Sequence, residues 1–322
     1  MKTARLGRNG PELTRLGLGT WAIGGAKWAY GWGSQDDKDS ISVIHEALDL
    51  GINWIDTAAA YGLGHSEEVV ARAVEGRRDR VFLATKCGRV PGPDSYSVVP
   101  RLSADSVRTE LEASLRRLRT DRIDLYQIHW PDPEPEIEEA WSVIADAVKE
   151  GKIRYAGVSN FNVAQLRRIM PIHPVTSLQP PYSMLRRDVE SEILPFCAEN
   201  GIGVVCYSPM QMGLLTGSFS RERMSTMAGD DLRTRNPYFA EPALTRNLAL
   251  VDRLRQIAAR NSRSVGELAL AWVLRRPEVT CAIVGGRRQG QVRELAGAAG
   301  WELLPSEVEE ISRALAATGA GA

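Results

Sequence analysis

Four residues in the first half of the chain have side chains suited to moving a proton: Asp56, Tyr61, Lys86 and His129. A phenol with an ordinary pKa of about 10 is a poor acid at neutral pH, but an adjacent ammonium such as that of Lys86 lowers this pKa. Asp56 can be the counterion of that ammonium, and His129 can donate a hydrogen bond to a carbonyl oxygen. The set suits protonation of an oxygen that becomes an alkoxide while a hydride reaches the adjacent carbon.

Each of these residues also has an ordinary structural explanation. Asp56 can be a helix N-cap, Tyr61 a loop aromatic, Lys86 a charge on the rim of the fold, and His129 a hydrogen-bonded histidine of the interior. Taken singly, these explanations are favoured, because few polar residues are catalytic. Four complementary groups on successive strand ends favour a single proton-handling site.

Short β-rich runs alternate with amphipathic stretches from about residue 16 to about residue 315. The predicted strands are 16–20, 52–57, 81–86, 124–129, 155–160, 176–179, 203–208 and 281–286. Segments with apolar residues at three- and four-residue spacing, typical of helices, include 37–50, 103–118, 138–150, 163–170, 188–200 and 265–274. Eight βα units without a break in composition predict one domain over 1–322, a (β/α)8 TIM barrel. A hairpin of 4–6 and 13–15 is expected to close its floor.

Polar residues recur at the carboxyl ends of the predicted strands. Those beyond the first four predicted strands are Ser159, Asn160, Gln179, Tyr207, Ser208, Gly285 and Gly286. All strands of a parallel barrel point the same way, so these ends converge on one mouth. A doubly wound sheet binds ligands only near its switch point. The long connections 22–36, 87–102 and 209–242 also follow strand ends, which favours functional loops.

Five strings carry a resemblance that covers essentially the whole chain. NWIDTAAAYG, FLATK, DLYQIHWPD, YAGVSNF and CYSPMQMGLLTG closely resemble the aldo-keto reductase superfamily, particularly its bacterial sugar and general-aldehyde reductases. The resemblance implies that Tyr61 is the general acid, that Asp56 and Lys86 tune it, and that His129 orients the carbonyl. It also implies that NADP(H) lies extended across the barrel mouth without a Rossmann domain.

The same resemblance implies a cofactor site. Ser159, Asn160 and Gln179 look like the set that binds the carboxamide, and Tyr207 resembles the aromatic that stacks under the nicotinamide. The segment similar to the one that wraps the pyrophosphate consists of Ser208, Pro209, Met210, Gln211, Met212 and Gly213.

After the last strand, four residues match positions that hold the adenosine end in relatives: Gly285, Arg287, Gln291 and Glu294. Arg287 and Arg288 add positive charge suited to a 2′-phosphate, which favours NADP over NAD. Val284 and Leu295 stand where proline and asparagine are usual, so this segment departs from the common pattern.

The string GLGTWA at 17–22 formally matches the dinucleotide fingerprint G-x-G-x-x-A. That motif should open a helix at once, whereas a glycine- and tryptophan-rich stretch follows here. We therefore interpret it as the end of the first strand, with Thr20 and Trp21 at the edge of the cofactor.

The substrate is expected to be a small-molecule carbonyl compound bound by Trp21, Tyr61, His129 and Trp130, with Arg89 and the loop over 89–101 contacting polar substrates. Three functions remain open on these residues. The first is NADPH-dependent reduction of an aldehyde or ketone to the alcohol. The second is sugar oxidation by the same chemistry in reverse. The third is a cofactor-binding regulatory subunit, because some relatives that resemble potassium-channel β-subunits act as partners.

The 40 basic and 40 acidic residues of the 322 leave no net charge to attract nucleic acid. No leader-like apolar region and no uncharged apolar stretch of roughly 18 residues is present, so neither secretion nor a membrane span is predicted, and the cytoplasm is the expected location. The composition leaves the oligomeric state open.

The four cysteines are widely spaced and form no CxxC pair, which favours buried free thiols. For Cys87, which follows Lys86, a lowered thiol pKa and a redox-sensing role remain an alternative. No metal site is predicted, because ligand-like spacing is missing among His45, His65, His129 and His173.

Overall fold

Eight parallel strands close into a barrel in the computed structural model, which describes residues 1–26, 28–229 and 231–321. The strands are β1 (Thr3–Arg5), β2 (Glu12–Thr14), β3 (Leu16–Gly19), β4 (Trp54–Asp56), β5 (Phe82–Cys87), β6 (Arg89–Pro91), β7 (Val98–Pro100), β8 (Ile123–Ile128), β9 (Ile153–Ser159), β10 (Ser177–Gln179), β11 (Gly203–Cys206) and β12 (Val279–Gly285). The order around the barrel is β3-β4-β5-β8-β9-β10-β11-β12, with β12 pairing back to β3. The predicted (β/α)8 TIM barrel is confirmed.

Helices connect the barrel strands. They are α1 (Asp37–Asp49), α2 (His65–Ala73), α3 (Ala104–Leu118), α4 (Ile137–Lys149), α5 (Val163–Ile169), α6 (Ile193–Asn200), α7 (Arg221–Ser225), α8 (Ala243–Arg260), α9 (Val265–Leu274) and α10 (Pro305–Thr318). Within the described ranges, none of them is long and apolar enough to cross a membrane. The helix expected over 188–200 begins only at Ile193. Pro195 explains the difference, because proline is tolerated in the first turn of a helix and not in its interior.

The N-terminal hairpin closes the barrel floor, as predicted. β1 and β2 pair antiparallel, with Thr3 opposite Thr14. The side chains of Leu6 and Leu13 are buried against Trp54, at the start of β4, in the core that fills the barrel interior. The indole Nε1 of Trp54 donates to the carbonyl oxygen of Thr14 at 2.9 Å. The hairpin therefore contributes both packing and a hydrogen-bond acceptor to the floor.

All three long connections contain structure of their own, and the one over 209–242 includes α7. The loop after β5 folds back as the antiparallel pair β6–β7, which the sequence indicated only as a long connection. The loop after β3 opens with the 3-10 turn Trp21–Gly24, and the next α-helix begins at Asp37. This agrees with the rejection of a dinucleotide fingerprint at 17–22, since no helix opens there.

Gly17 of β3 is required by the packing of the floor. A Cβ atom at this position would lie 2.0 Å from the Trp54 ring. We expect Gly17→Ala to lower the free energy of unfolding by about 1–3 kcal/mol, the usual effect of overpacking a core, as measured by urea denaturation. In Gly300→Ala, where an added Cβ meets nothing within 4 Å, stability should be unchanged or slightly higher. Equal stability of the two variants would contradict the tight packing at Gly17.

Candidate active site

The barrel mouth brings the four predicted proton-handling residues together. Asp56 is the last residue of β4, Lys86 is the penultimate residue of β5, and His129 directly follows β8. Tyr61 begins a 3-10 turn after β4. The ammonium Nζ of Lys86 lies 5.0 Å from the centre of the Tyr61 ring, and the rings of Tyr61 and His129 are 5.8 Å apart between centroids. Side chains from three strand ends and one turn thus form a single site.

The ammonium of Lys86 is fully buried, and each of its three donors has a partner. Nζ donates to Oδ2 of Asp56 at 2.7 Å, to the carbonyl oxygen of Thr57 at 2.9 Å and to the hydroxyl of Tyr61 at 3.2 Å. A buried charge is tolerated when it is paired and its remaining hydrogen bonds are made. Asp56 is therefore the counterion of Lys86 rather than a helix N-cap.

Two glutamines hold the other oxygen of Asp56. Nε2 of Gln179 donates to Oδ1 at 2.8 Å, and Nε2 of Gln127 reaches the same atom at 3.4 Å. Gln127 is absent from the residues that the sequence indicated. Strand alternation contained the signal, because residues 127 and 129 lie on the same face of one strand.

Burial sets the protonation states of the site. The pKa of Tyr61 is raised well above its ordinary value by burial and by the negative charge of Asp56. The expected lowering by Lys86 is wrong, because burial, the largest cause, and the charge of Asp56 both raise this pKa. Burial lowers the pKa of Lys86, although Asp56 opposes this. The pKa of His129 is lowered well below its ordinary value by burial and then by Lys86 and Arg89. At neutral pH the site presents a phenol and an uncharged imidazole.

Aromatic rings pack against the ring of Tyr61. The ring of Trp21 stacks on that of Tyr61 with 5.7 Å between centroids and 20° between planes. Trp28 is buried 6.1 Å from the same ring. Trp130, a predicted substrate residue, has 39% of its surface exposed and lies at the rim beyond His129. The wall nearest to Tyr61 is therefore made by Trp21 and Trp28.

The predicted carboxamide set forms one hydrogen-bonded chain. The hydroxyl of Tyr207 donates to Oδ1 of Asn160 at 2.9 Å. Nδ2 of Asn160 donates to the carbonyl oxygen of His129 and to Oγ of Ser159, each at 3.0 Å. Oγ of Ser159 donates to the carbonyl oxygen of Gln179 at 2.7 Å. Within the described part of the chain, no donor reaches Oε1 of Gln179, which leaves a carbonyl acceptor at the mouth.

The turn after β11, residues 208–213, has an unusual backbone. Left-handed φ angles occur at Ser208 (53°), Gln211 (47°), Met212 (54°) and Gly213 (92°). Turns that combine left- and right-handed residues form concave arrays of backbone N–H groups that bind anions. Gly213 keeps the cradle open, since an added Cβ would meet nothing within 4 Å.

Arg287 ties two loops together at the other end of the mouth. Its guanidinium donates to Oε1 of Gln35 at 2.8 Å and to the carbonyl oxygens of Trp32 at 2.9 Å and Ser34 at 2.5 Å. The indole Nε1 of Trp32 is buried without a partner among the described residues. The guanidinium donors of Arg287 are thus occupied by other residues of the chain, and the indole N–H of Trp32, to whose carbonyl oxygen Arg287 donates, has no partner among them.

Positive charge accumulates around Arg287. Its pKa is lowered by burial and by the cations Arg233, Arg288 and Arg223, while Asp231 opposes them. Asp231 is itself paired with Arg233 at 2.7 Å. Arg288 is exposed, and its side chain makes no hydrogen bond or ion pair with any described residue. The cluster has an excess of cations, and Arg288 has its donors available.

The remaining predicted cofactor residues differ in how accessible they are. Gly285 and Glu294 are exposed. Oε1 of Gln291 accepts from the backbone N–H of Arg287 at 2.8 Å and so shapes the loop after β12. The side chain of Thr20 is fully buried and donates to the carbonyl oxygen at the end of β4 at 3.1 Å. Thr20 therefore belongs to the framework of the mouth.

Cys87 lies outside this site. Strand alternation directs Lys86 into the barrel and Cys87 outward, where its thiol is 1% exposed among residues that face the helices. Burial and the charge of Glu110 raise the pKa of the thiol well above its ordinary value. The lowered thiol pKa of the redox-sensing alternative is therefore wrong, and the prediction of buried free cysteines is confirmed for all four.

Comparison with known proteins agrees with this geometry. A family model described as the Aldo/keto reductase family matches residues 15–316. The chain belongs to the aldo/keto reductase family. An oxidoreductase acting on carbonyl compounds follows from this membership.

Three similar proteins show the range of this family. The chain is 40% identical to the aldo-keto reductase YhdN of Bacillus subtilis (strain 168), over 98% of this chain and 94% of that protein. It is 36% identical to an NADH-specific methylglyoxal reductase of Escherichia coli (strain K12), over 91% and 92% of the two chains. The solved structure of the glycerol dehydrogenase AKR11B4 from Gluconobacter oxydans superimposes with a TM-score of 0.88 at 38% identity, covering 98% and 95% of the two chains.

The buried pair of Lys86 and Asp56 should be strongly coupled. Asp56→Asn leaves the ammonium without its counterion, and we expect the free energy of unfolding to fall by about 3–5 kcal/mol. Adding Lys86→Met to that variant should recover part of the loss, because the uncompensated charge is then gone. Urea denaturation of the two single variants and the double variant measures the coupling. Single losses that simply add in the double variant would contradict it.

Proposed function

We propose that this aldo/keto reductase reduces an aldehyde or ketone to the alcohol with NADPH, and that Tyr61 is its general acid. The observation that carries the proposal is the hydrogen bond of 3.2 Å from the buried Lys86 ammonium to the Tyr61 hydroxyl. This bond supports the proposal, because it sets a cation beside the oxygen of a phenol whose pKa is raised.

The proton moves between groups of this chain and the substrate. A carbonyl oxygen that accepts hydrogen bonds from Tyr61 and from neutral His129 is polarised before any charge develops on it. As the carbonyl oxygen becomes an alkoxide, it takes the proton of Tyr61, because a phenol is a stronger acid than the alcohol that forms. The hydrogen bond from Lys86 then stabilises the phenolate, and Asp56 keeps Lys86 charged and oriented. The raised pKa of Tyr61 ensures that the proton is present until this moment.

A bound nicotinamide supplies the hydride. The residues present fit such a group, since Oε1 of Gln179 is an acceptor without a donor from the described residues, as a carboxamide N–H requires. Asn160 and Ser159 present amide and hydroxyl groups next to it, and Tyr207 offers its ring face. The left-handed turn 208–213 suits the pyrophosphate.

The arginine cluster supports NADP over NAD. A 2′-phosphate adds about two negative charges, and guanidinium groups match phosphate geometry. Arg287 is committed to the loop at Trp32, whereas Arg288 has its donors available. We therefore assign the phosphate contact to Arg288 and a supporting role to Arg287.

The reverse direction is a second candidate, since the similar protein of Gluconobacter oxydans is named a glycerol dehydrogenase. In that direction Tyr61 would accept the proton of the alcohol. Initial rates in both directions over small aldehydes, aldoses and polyols distinguish the two. Binding of the nucleotide without turnover in either direction would favour a regulatory subunit.

Replacing Tyr61 by phenylalanine removes the proton donor and keeps the ring. We expect kcat for carbonyl reduction to fall by about 10²- to 10⁴-fold, while NADPH binding, followed by tryptophan fluorescence, stays unchanged. Tyr30→Phe is the matched control, because Tyr30 is an exposed tyrosine of the same mouth and its rate should be close to wild type. A Tyr61→Phe rate like that of the wild type would refute the assignment.

Replacing Arg288 by alanine tests the cofactor preference. Loss of a charged contact to phosphate should raise KM for NADPH about 10- to 100-fold and leave KM for NADH unchanged. Arg293→Ala is the control, since Arg293 lies in the same segment but is paired with Glu46 at 3.2 Å. A wild-type kcat/KM for NADH that equals or exceeds that for NADPH would contradict the NADP preference and leave carbonyl reduction standing.

A further inference from the structure

Arg89 is a cation on the substrate side of the mouth that the proposed chemistry does not use. It begins β6, three residues after Lys86 along the chain, and pairs with Pro100 of β7. The backbone before it is fixed, because the N–H of Gly88 donates to the buried carboxylate of Glu110 at 3.0 Å. Arg89 is therefore held at the end of β5 rather than on a free loop.

His129 and Arg89 lie on neighbouring segments. The N–H of His129 donates to the carbonyl oxygen of Cys87 at 3.0 Å, so the residues after β8 are tied to the residues after β5. The lowered pKa of His129 is consistent with this arrangement, since the charge of Arg89 contributes to it after burial and Lys86. Arg89 therefore lies two residues beyond the backbone hydrogen bond that ties β5 to His129, and its charge acts on the imidazole.

Asp132 is the partner of Arg89. Nη1 of Arg89 and Oδ2 of Asp132 are 3.1 Å apart, and the side chains are 16% and 55% exposed. Among the described residues, the Arg89 side chain makes no other hydrogen bond or ion pair, and its Nε and Nη2 are not among the buried polar atoms that lack a partner. Solvent therefore reaches these donors. Because Asp132 is more than half exposed, the ion pair contributes little to stability and Asp132 is an exchangeable partner.

Among the described residues around Tyr61, Arg89 is a cation with donors available to bind an anion. Lys86 is neutralised by Asp56, and His129 is uncharged at neutral pH. A guanidinium offers parallel N–H donors that fit two oxygens of a carboxylate or a phosphate. Such a group of the substrate can take the position of the exposed Asp132 carboxylate.

We propose that Arg89 is a specificity-determining residue that binds an anionic group of the substrate, and that Asp132 occupies this position when no anion is bound. The preferred substrates are aldehydes or ketones with a carboxylate or phosphate a few bonds from the carbonyl. The inference rests on the proposed carbonyl reduction, and it adds the substrate class.

Two matched substrate pairs test the class. Succinic semialdehyde is compared with butanal, and glyceraldehyde 3-phosphate with glyceraldehyde, so that the two arms distinguish a carboxylate from a phosphate. For the favoured anion we expect wild-type kcat/KM to exceed that for the neutral partner by about 10-fold or more. Arg89→Gln should lower kcat/KM for the anionic substrate about 10- to 100-fold, mainly through KM, and change the neutral one less than about threefold. Arg89→Lys should keep part of the preference.

Asp132→Asn separates this role from a structural one. Removing the internal competitor should raise kcat/KM for the anionic substrate, the opposite sign to Arg89→Gln. Arg101→Gln, an exposed arginine just beyond β7, is the control and should change nothing. Variants of Arg89 and Asp132 that lower the rates on anionic and neutral substrates in parallel would overturn the proposal, as would equal wild-type rates within both pairs.

A binding measurement keeps this test independent of turnover. Succinate added to the NADPH-saturated protein should quench tryptophan fluorescence with an affinity that Arg89→Gln weakens and Asp132→Asn strengthens. Succinate binding that neither variant alters would refute the anion site. Absence of turnover on every neutral aldehyde, with this binding intact, would instead refute the proposed function.

Discussion

A buried ammonium at the mouth of the barrel is the constraint on which this site depends. Lys86 carries a charge where no water can solvate it, so all three donors need acceptors from the protein. Two of these acceptors, Asp56 and the Thr57 carbonyl, come from the neighbouring strand end, and the third is the hydroxyl of Tyr61. The charge is stable only if the strand ends keep their register, which couples the barrel to the chemistry. The hydrogen bond that occupies the third donor of Lys86 also positions the hydroxyl of Tyr61.

The same burial determines the protonation state of Tyr61. Considered as a pair of neighbouring groups, the Lys86 ammonium should lower the pKa of Tyr61, yet that pKa is raised. Burial in the closed barrel is the largest cause, and the negative charge of Asp56 adds to it. A phenol that remains protonated at rest and is stabilised only as it loses its proton favours the transition state over the ground state. The hydrogen bond from Lys86 matters most at that point.

The mouth is completed by loops that are held from both sides. The aromatic loop after β3 is fixed by three hydrogen bonds from Arg287. The same loop is hydrogen-bonded to the β6–β7 hairpin, since the N–H of Ala29 donates to the carbonyl oxygen of Tyr96 at 2.9 Å. Arg287 on one side and the β6–β7 hairpin on the other therefore hold the same segment. This explains why Trp28 is buried against Tyr61 although it lies in a glycine-rich loop.

The sequence by itself determined the parallel barrel, its closing hairpin and the polar strand ends at Asp56, Lys86 and His129. These follow from local patterns, namely the period of apolar residues and the alternation of strands and helices. The tertiary structure decided which groups are partners. Gln127 is hydrogen-bonded to Asp56, and the guanidinium of Arg287 binds the loop after β3. The side chain of Cys87 points out of the barrel, toward the helices. The helix start at Ile193 and the β6–β7 pair were likewise decided by packing. Hydrogen bonds between residues far apart in the chain, and the burial that sets their pKa values, exist only once the strands have closed.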